Sequence, residues 1–226
     1  MLLSSWRRFF QSPDAWWGIV QLAPWAGSVD QNNKTARTRS VELSIADADT
    51  RVTVATAADL GDAAAPKTSI HPRPKQELGR RLAAGALLHL FGIGAVTDSM
   101  GPIFAGAVAG GGPAGVLSAT VTFRPPFIGA GALALRSVEP WPGLANASDC
   151  PVALTLCSAF ALQDAATGAW FAADAALSAD DSSLVLVAPT APASAKLGGT
   201  ASGWSVWPQV SLYGVTGGLP AYPWRH

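Results

Sequence analysis

Leu2, Leu3, Trp6, Phe9 and Phe10 recur at helical spacing, so the chain predicts a short amphipathic helix at its start. Residues 18–22, Gly-Ile-Val-Gln-Leu, form an apolar run closed by Pro24 and read as a buried strand. Residues 26–50 are polar and thin in large apolar side chains, the texture of a long surface loop. Residues 51–56 are β-branched and predict a second strand, followed by a loop over 59–69 rich in Gly, Ala and Asp. Pro74 suits a first helical turn, and Leu78, Leu82, Ala86 and Leu90 then recur every fourth position, with Arg80 and Arg81 off that line. This predicts a helix of about four turns ending near Gly92.

The texture changes near Gly101. β-like runs over 116–123, 132–138, 152–156, 183–187 and 205–212 alternate with Gly-, Pro- and Ala-rich breaks. The Ala-rich stretch 161–176 suits helix by propensity, but its place among these runs favours strand and turn. The expected architecture is an α/β part over residues 1–96, followed by an antiparallel β-sandwich-like domain over 97–226.

Charge narrows the function. Lys plus Arg and Asp plus Glu number 15 each, and charged residues are only 13% of the chain. Nucleic-acid binding needs a cationic surplus, as does a polybasic membrane patch, and neither is present. No apolar stretch is long enough for a bilayer span, since residues 82–96 carry His89 and are followed by Asp98 and Pro102. The first residues lack the form of a signal peptide, because Arg7 and Arg8 follow a very short apolar run. Nine Trp point to a Trp-rich core or a carbohydrate-facing surface. Cys150 and Cys157 fit no zinc spacing; one local disulfide and two buried thiols both remain open. Sequons start at Asn33 and Asn146.

The sharpest candidate for chemistry is His71. It follows a strand and loop and precedes a helix, and active sites of open α/β sheets lie at the carboxyl ends of strands. An imidazole there suits general-base activation of a serine hydroxyl, with a structural loop histidine as the alternative. Asp59 and Asp62, in the same loop region, are candidates to orient the ring, although Asp beside Gly61 also serves in turns. His89 falls mid-helix and His226 ends the chain, so no metal-ligand cluster forms in the sequence. Residues 110–115 lack the Lys-Ser/Thr of a phosphate loop and read as a turn. Ser99 lacks the strand–turn–helix context of a nucleophile.

The segment 68–82, Thr-Ser-Ile-His-Pro-Arg-Pro-Lys-Gln-Glu-Leu-Gly-Arg-Arg-Leu, resembles the sialate O-acetylesterase family, whose hydrolase domain has the SGNH fold. The resemblance extends to Trp6-Arg7-Arg8, to Val20-Gln21-Leu22, to residues 54–62 ending Asp-Leu-Gly-Asp, to Gly101-Pro102, and to the closing Trp207-Pro208, Leu212-Tyr213 and 218–225 runs. It implies that His71 is the catalytic base, that the substrate is an acetylated sialic acid or related sugar, and that no cofactor or metal is needed. It leaves a secretory or lysosomal location open. The departures are specific. The Gly-Asp-Ser block and the Trp-Tyr-Gln-Gly-Glu-type block of the family have no counterpart here, and Ser99 lies on the wrong side of His71. Ser69 stands where members often carry Asp, two residues before the histidine. The chain thus resembles the C-terminal half of an esterase, bearing the base while the serine nucleophile belongs to a missing N-terminal half. A non-catalytic carbohydrate-binding or interaction module is the competing reading, and a packing fragment without function of its own is a third.

Overall fold

A computed structural model describes residues 2–26, 34–138 and 158–226. The expected strand at 152–156, both cysteines and both sequon asparagines lie outside the described residues.

The first half is an α/β layer. Helix α1 (Leu2–Phe9) leads to strand β1 (Trp17–Gln21), which pairs in parallel with β2 (Val52–Thr56). Helix α2 (Lys34–Ala48) makes the crossover between them, so residues 34–48 are helical rather than the expected loop. Its buried and half-buried positions are Thr35, Ala36, Arg39, Glu42, Leu43, Ile45 and Ala46, a helical stripe whose first half is mostly polar. That polarity hides the period from a hydrophobic pattern. Leu43 and Ala46 pack with Trp17, Ile19, Val52, Val54 and Tyr222 on one face of the strand pair. Helix α3 (Lys75–Phe91) contacts the other face. It approaches closely, since a Cβ at Gly85 would stand 2.6 Å from Thr53 Cγ2. Gly92, at φ 67°, ends α3 where the sequence placed its stop.

A 3₁₀ turn (Val96–Asp98) leads into the β half. Seven strands form one antiparallel sheet: β3 (Phe104–Ala109), β4 (Leu117–Phe123), β6 (Phe160–Asp164), β7 (Trp170–Leu177), β8 (Leu184–Ala188), β9 (Leu197–Ser202) and β11 (Trp224–Arg225). Their order is β11-β9-β6-β7-β8-β4-β3. The two edge strands meet through Phe104 and Trp224, whose rings stack at 5.6 Å. The sheet is therefore nearly closed on itself, in place of the two facing sheets of the expected sandwich. β5 (Leu133–Leu135) pairs separately with β10 (Leu212–Gly214). Inside, Leu117, Ala119, Val121 and Phe123 alternate from β4 and Leu184, Leu186 and Ala188 from β8, the period of two expected for one buried face.

Residues 110–115 are the β3–β4 turn, as expected. The stretch 161–176 is strand, turn and strand. Asp164 fixes its turn by accepting the Thr167 hydroxyl at 2.7 Å, and Gly168 takes φ 71°. The run 205–212 is irregular up to Leu212 rather than a strand. Pro208 has no N–H to donate, and the carbonyls of Ser205 and Val206 accept from buried Arg39 at 2.6 and 3.2 Å. Arg39 also donates to the Leu22 and Ala23 carbonyls, at 2.7 and 2.8 Å, which ties the end of β1 to this segment. The closing segment returns to the first half, where the Tyr222 hydroxyl donates to the Val54 carbonyl.

Candidate functional site

His71 ends a tight turn in which its N–H donates to the Thr68 carbonyl at 2.9 Å. Buried Pro72 follows, and Pro74 precedes the first residue of α3. The imidazole is exposed. Ser69, in the same turn, is buried and accepts the Ala26 N–H on its Oγ at 2.6 Å, anchoring the turn to the segment after β1.

Two arginines fasten this turn and the helix behind it to the loop leaving the carboxyl end of β2. Arg73 donates to Asp62 three times: from its backbone N–H at 3.0 Å, from Nε at 2.6 Å and from Nη2 at 2.9 Å. These bonds hold the Asp62 carboxyl down at about 2. Arg81 donates to both Asp59 oxygens at 2.7 and 2.8 Å, to Glu77 at 2.9 Å and to the Thr56 carbonyl at 2.6 Å. Its side chain is only 4% exposed, so the pair needs this geometry to offset the loss of water. Glu77 is likewise held down at about 2, chiefly by its hydrogen bond from Arg80 and then by that from Arg81.

Asp59 and Asp62 are candidates to orient the imidazole, with a turn role as the alternative. Among the described residues neither hydrogen-bonds the His71 ring; they fix the loop and helix that carry it, because guanidinium forks satisfy carboxylates bidentately. Ser99 is 2% exposed, with its hydroxyl on the Val96 carbonyl at 3.2 Å, a place unsuited to a nucleophile. His89 is exposed on α3, and His226 lies against Phe104 with ring centroids 5.4 Å apart. Neither approaches a metal-binding cluster among the described residues.

The loop after β2 also forms one wall of a cavity of about 220 Å³. Asp59 and Gly61 face Trp207, Gln209 and Tyr213 across it. A Cβ at Gly61 would stand 2.6 Å from Trp207 Cζ2, so a side chain here would push the indole aside. Arg136 lies over the Tyr213 ring, 3.9 Å from its centroid. Trp207, Gln209 and Tyr213 fall in segments that the sequence marked, 205–212 and Leu212-Tyr213, but none stands out there as a cavity residue, because the wall is assembled from distant segments and leaves no local pattern. The larger concavity, about 790 Å³, lies away from His71 between α1 and Trp17 and is walled mostly by apolar side chains.

No protein-family model and no curated protein matches the chain. Among solved structures, the chain is similar to a carbohydrate acetylesterase from Xanthomonas citri, with a TM-score of 0.71 and 23% identity. The match covers 99% of this chain and 44% of that one, so the chain spans less than half the length of that protein. At this identity the likeness is one of fold: a mixed, sheet-rich architecture resembling part of a carbohydrate esterase.

Proposed function

We propose that the chain is the base-bearing portion of a serine-type carbohydrate ester hydrolase, of the sialate O-acetylesterase type with an SGNH-fold hydrolase domain, acting on O-acetyl groups of sialic acids or related sugars. The observation that carries this reading is the exposed His71, presented on a fastened turn beside the loop at the carboxyl end of β2, within a fold resembling a carbohydrate acetylesterase. In the complete enzyme a serine hydroxyl outside these residues attacks the acetyl carbonyl while His71 takes its proton. The histidine then returns that proton to the departing sugar oxygen, leaving an acetyl-enzyme that water hydrolyses by the same two steps.

Surfaces beside the first half support an additional segment. β1 presents exposed Gly18 and Val20, and it has a single strand partner among the described residues. Leu2, Trp6 and Phe9 on α1, Phe10 just after it, and Leu87, Leu90, Phe91 and Ile93 around the end of α3 are exposed. Apolar clusters of this kind mark surfaces that other chain covers.

The test is to express the chain fused to the polypeptide encoded in frame upstream of it, and to measure acetate release from O-acetylated N-acetylneuraminic acid. Release that falls about 10⁴-fold or more in His71→Ala is expected. No release, or release indifferent to His71→Ala, sinks the reading.

A further inference from the structure

The outer edge of β1 is open over a short, bounded window. Successive residues of a strand turn their backbone N–H and C=O to opposite sides. The Trp17 N–H donates to the Arg51 carbonyl at 2.9 Å, and the Gln21 carbonyl accepts the Ala57 N–H at 3.2 Å, so the odd-numbered residues of β1 bond toward β2. Gly18 and Val20 therefore direct theirs to the other side, where no strand pairs with β1 among the described residues. Side chains close that side at both ends. Arg7 donates to the Ala15 carbonyl from Nε at 3.0 Å and from Nη2 at 2.8 Å. Glu42 accepts the Leu22 N–H at 3.0 Å, and Arg39 Nε donates to the Leu22 carbonyl at 2.7 Å. What remains is Gly18-Ile19-Val20, an edge without the lysine or proline by which natural edges discourage pairing. The concavity of about 790 Å³ adjoins it, lined by Trp17 at the start of β1 and by exposed Trp6, Phe9 and Phe10.

An open edge beside exposed aromatics fits one occupant that offers both a strand and an apolar surface. The match covers 44% of the similar acetylesterase, so more than half of that protein's length lies outside it. We propose that the edge of β1 is the docking site for the nucleophile-bearing portion of the enzyme. That portion adds a strand that pairs with the backbone of Gly18 and Val20 and lays apolar side chains on Trp6, Phe9 and Trp17. The strand runs parallel to β1, so that its carboxyl end opens beside the loop after β2 that fastens the His71 turn. This rests on the reading of the chain as one portion of a larger esterase and assigns where the other portion attaches.

The test compares amide hydrogen exchange, read by mass spectrometry at single-residue resolution, in the 226-residue chain and in its fusion to the polypeptide encoded in frame upstream. In the chain alone Ile19 should be protected while Gly18 and Val20 exchange freely; in the fusion both should slow by about a hundredfold or more. Val20→Pro removes an N–H that faces away from β2, so the variant chain alone should stay folded with Ile19 protected. In the fusion the same change should restore free exchange at Gly18 and lower the melting temperature. Protection in the fusion without acetate release would sustain the docking edge while the esterase reading fails. Release that depends on His71 with Gly18 and Val20 unprotected would overturn the docking edge alone. Protection of both amides in the isolated chain, together with a dimer in solution, would assign the edge to a second copy and likewise overturn the proposal.

Discussion

Asp62 illustrates how single side chains set the site. Three donors from Arg73 stabilise its charged form, and Glu77 is held in the same way by Arg80 and Arg81. Both carboxyls sit near 2 when folded, below their ordinary values near 4. Their contribution to stability is therefore complete above about pH 4 and disappears as the pH falls toward 2. Carboxyl NMR titration should place both midpoints near 2, and melting of Asp62→Asn should depend less on pH between 4 and 2 than that of the wild type. Midpoints near 4 would show that these clamps do not form. The helix that follows His71 was legible at this scale from Pro74 and the leucines after it. The arginine partners of Asp59 and Asp62 were not, because the pairings join residues 11 and 22 positions apart and leave no local pattern.

At the scale of elements, legibility followed the chemistry of the buried face. β2 and β4 bury apolar side chains and were readable from them. β1 and α3 were readable from half-buried apolar positions, although their fully buried residues are Gln21 in β1 and Gly85 and Arg81 in α3. Arg81 is turned inward where the Leu78-to-Leu90 line had left it out, and Leu90 is exposed. Helix α2 was not, because its inward stripe includes Arg39 and Glu42. β3 and β9 are Gly- and Ala-rich and lack the large alternating side chains that announce a strand. Arg39 and Tyr222 test how these elements are joined. Arg39 satisfies four carbonyls from two distant segments, and native carbonyls stripped of a buried donor cost about 1–3 kcal/mol each. Arg39→Met should lower the unfolding free energy by about 3 kcal/mol or more, and Tyr222→Phe, which removes one hydroxyl bond to Val54, by about 1 kcal/mol. Urea unfolding of the two variants would check this, and the reverse order would contradict the assigned role of Arg39 as the main tie between β1 and the 205–206 segment.

For the whole molecule, the two halves share one closing segment. Tyr222 packs with Val52 and Val54 of the α/β layer, whereas Ala221 and Trp224 belong to the core of the β half. Gly101 permits this return, since a Cβ there would stand 1.9 Å from the Pro220 carbonyl oxygen. The sequence marked both ends of this contact, Gly101-Pro102 and the 218–225 run, without indicating that they touch. It also marked the change from mixed to antiparallel texture. Sheet closure was not readable, because it depends on Phe104 meeting Trp224 across 120 positions of chain, well beyond any local pattern.

The central claim is that these residues carry the base of an esterase and that its nucleophile lies outside them. It is tested most directly by assaying the purified 226-residue chain and its His71→Ala variant for acetate release from O-acetylated N-acetylneuraminic acid and from 4-nitrophenyl acetate. A histidine without its serine can activate only water, so both proteins should give release at the buffer background. Clear turnover by the chain that vanishes in His71→Ala would place a working nucleophile within these residues and contradict the account.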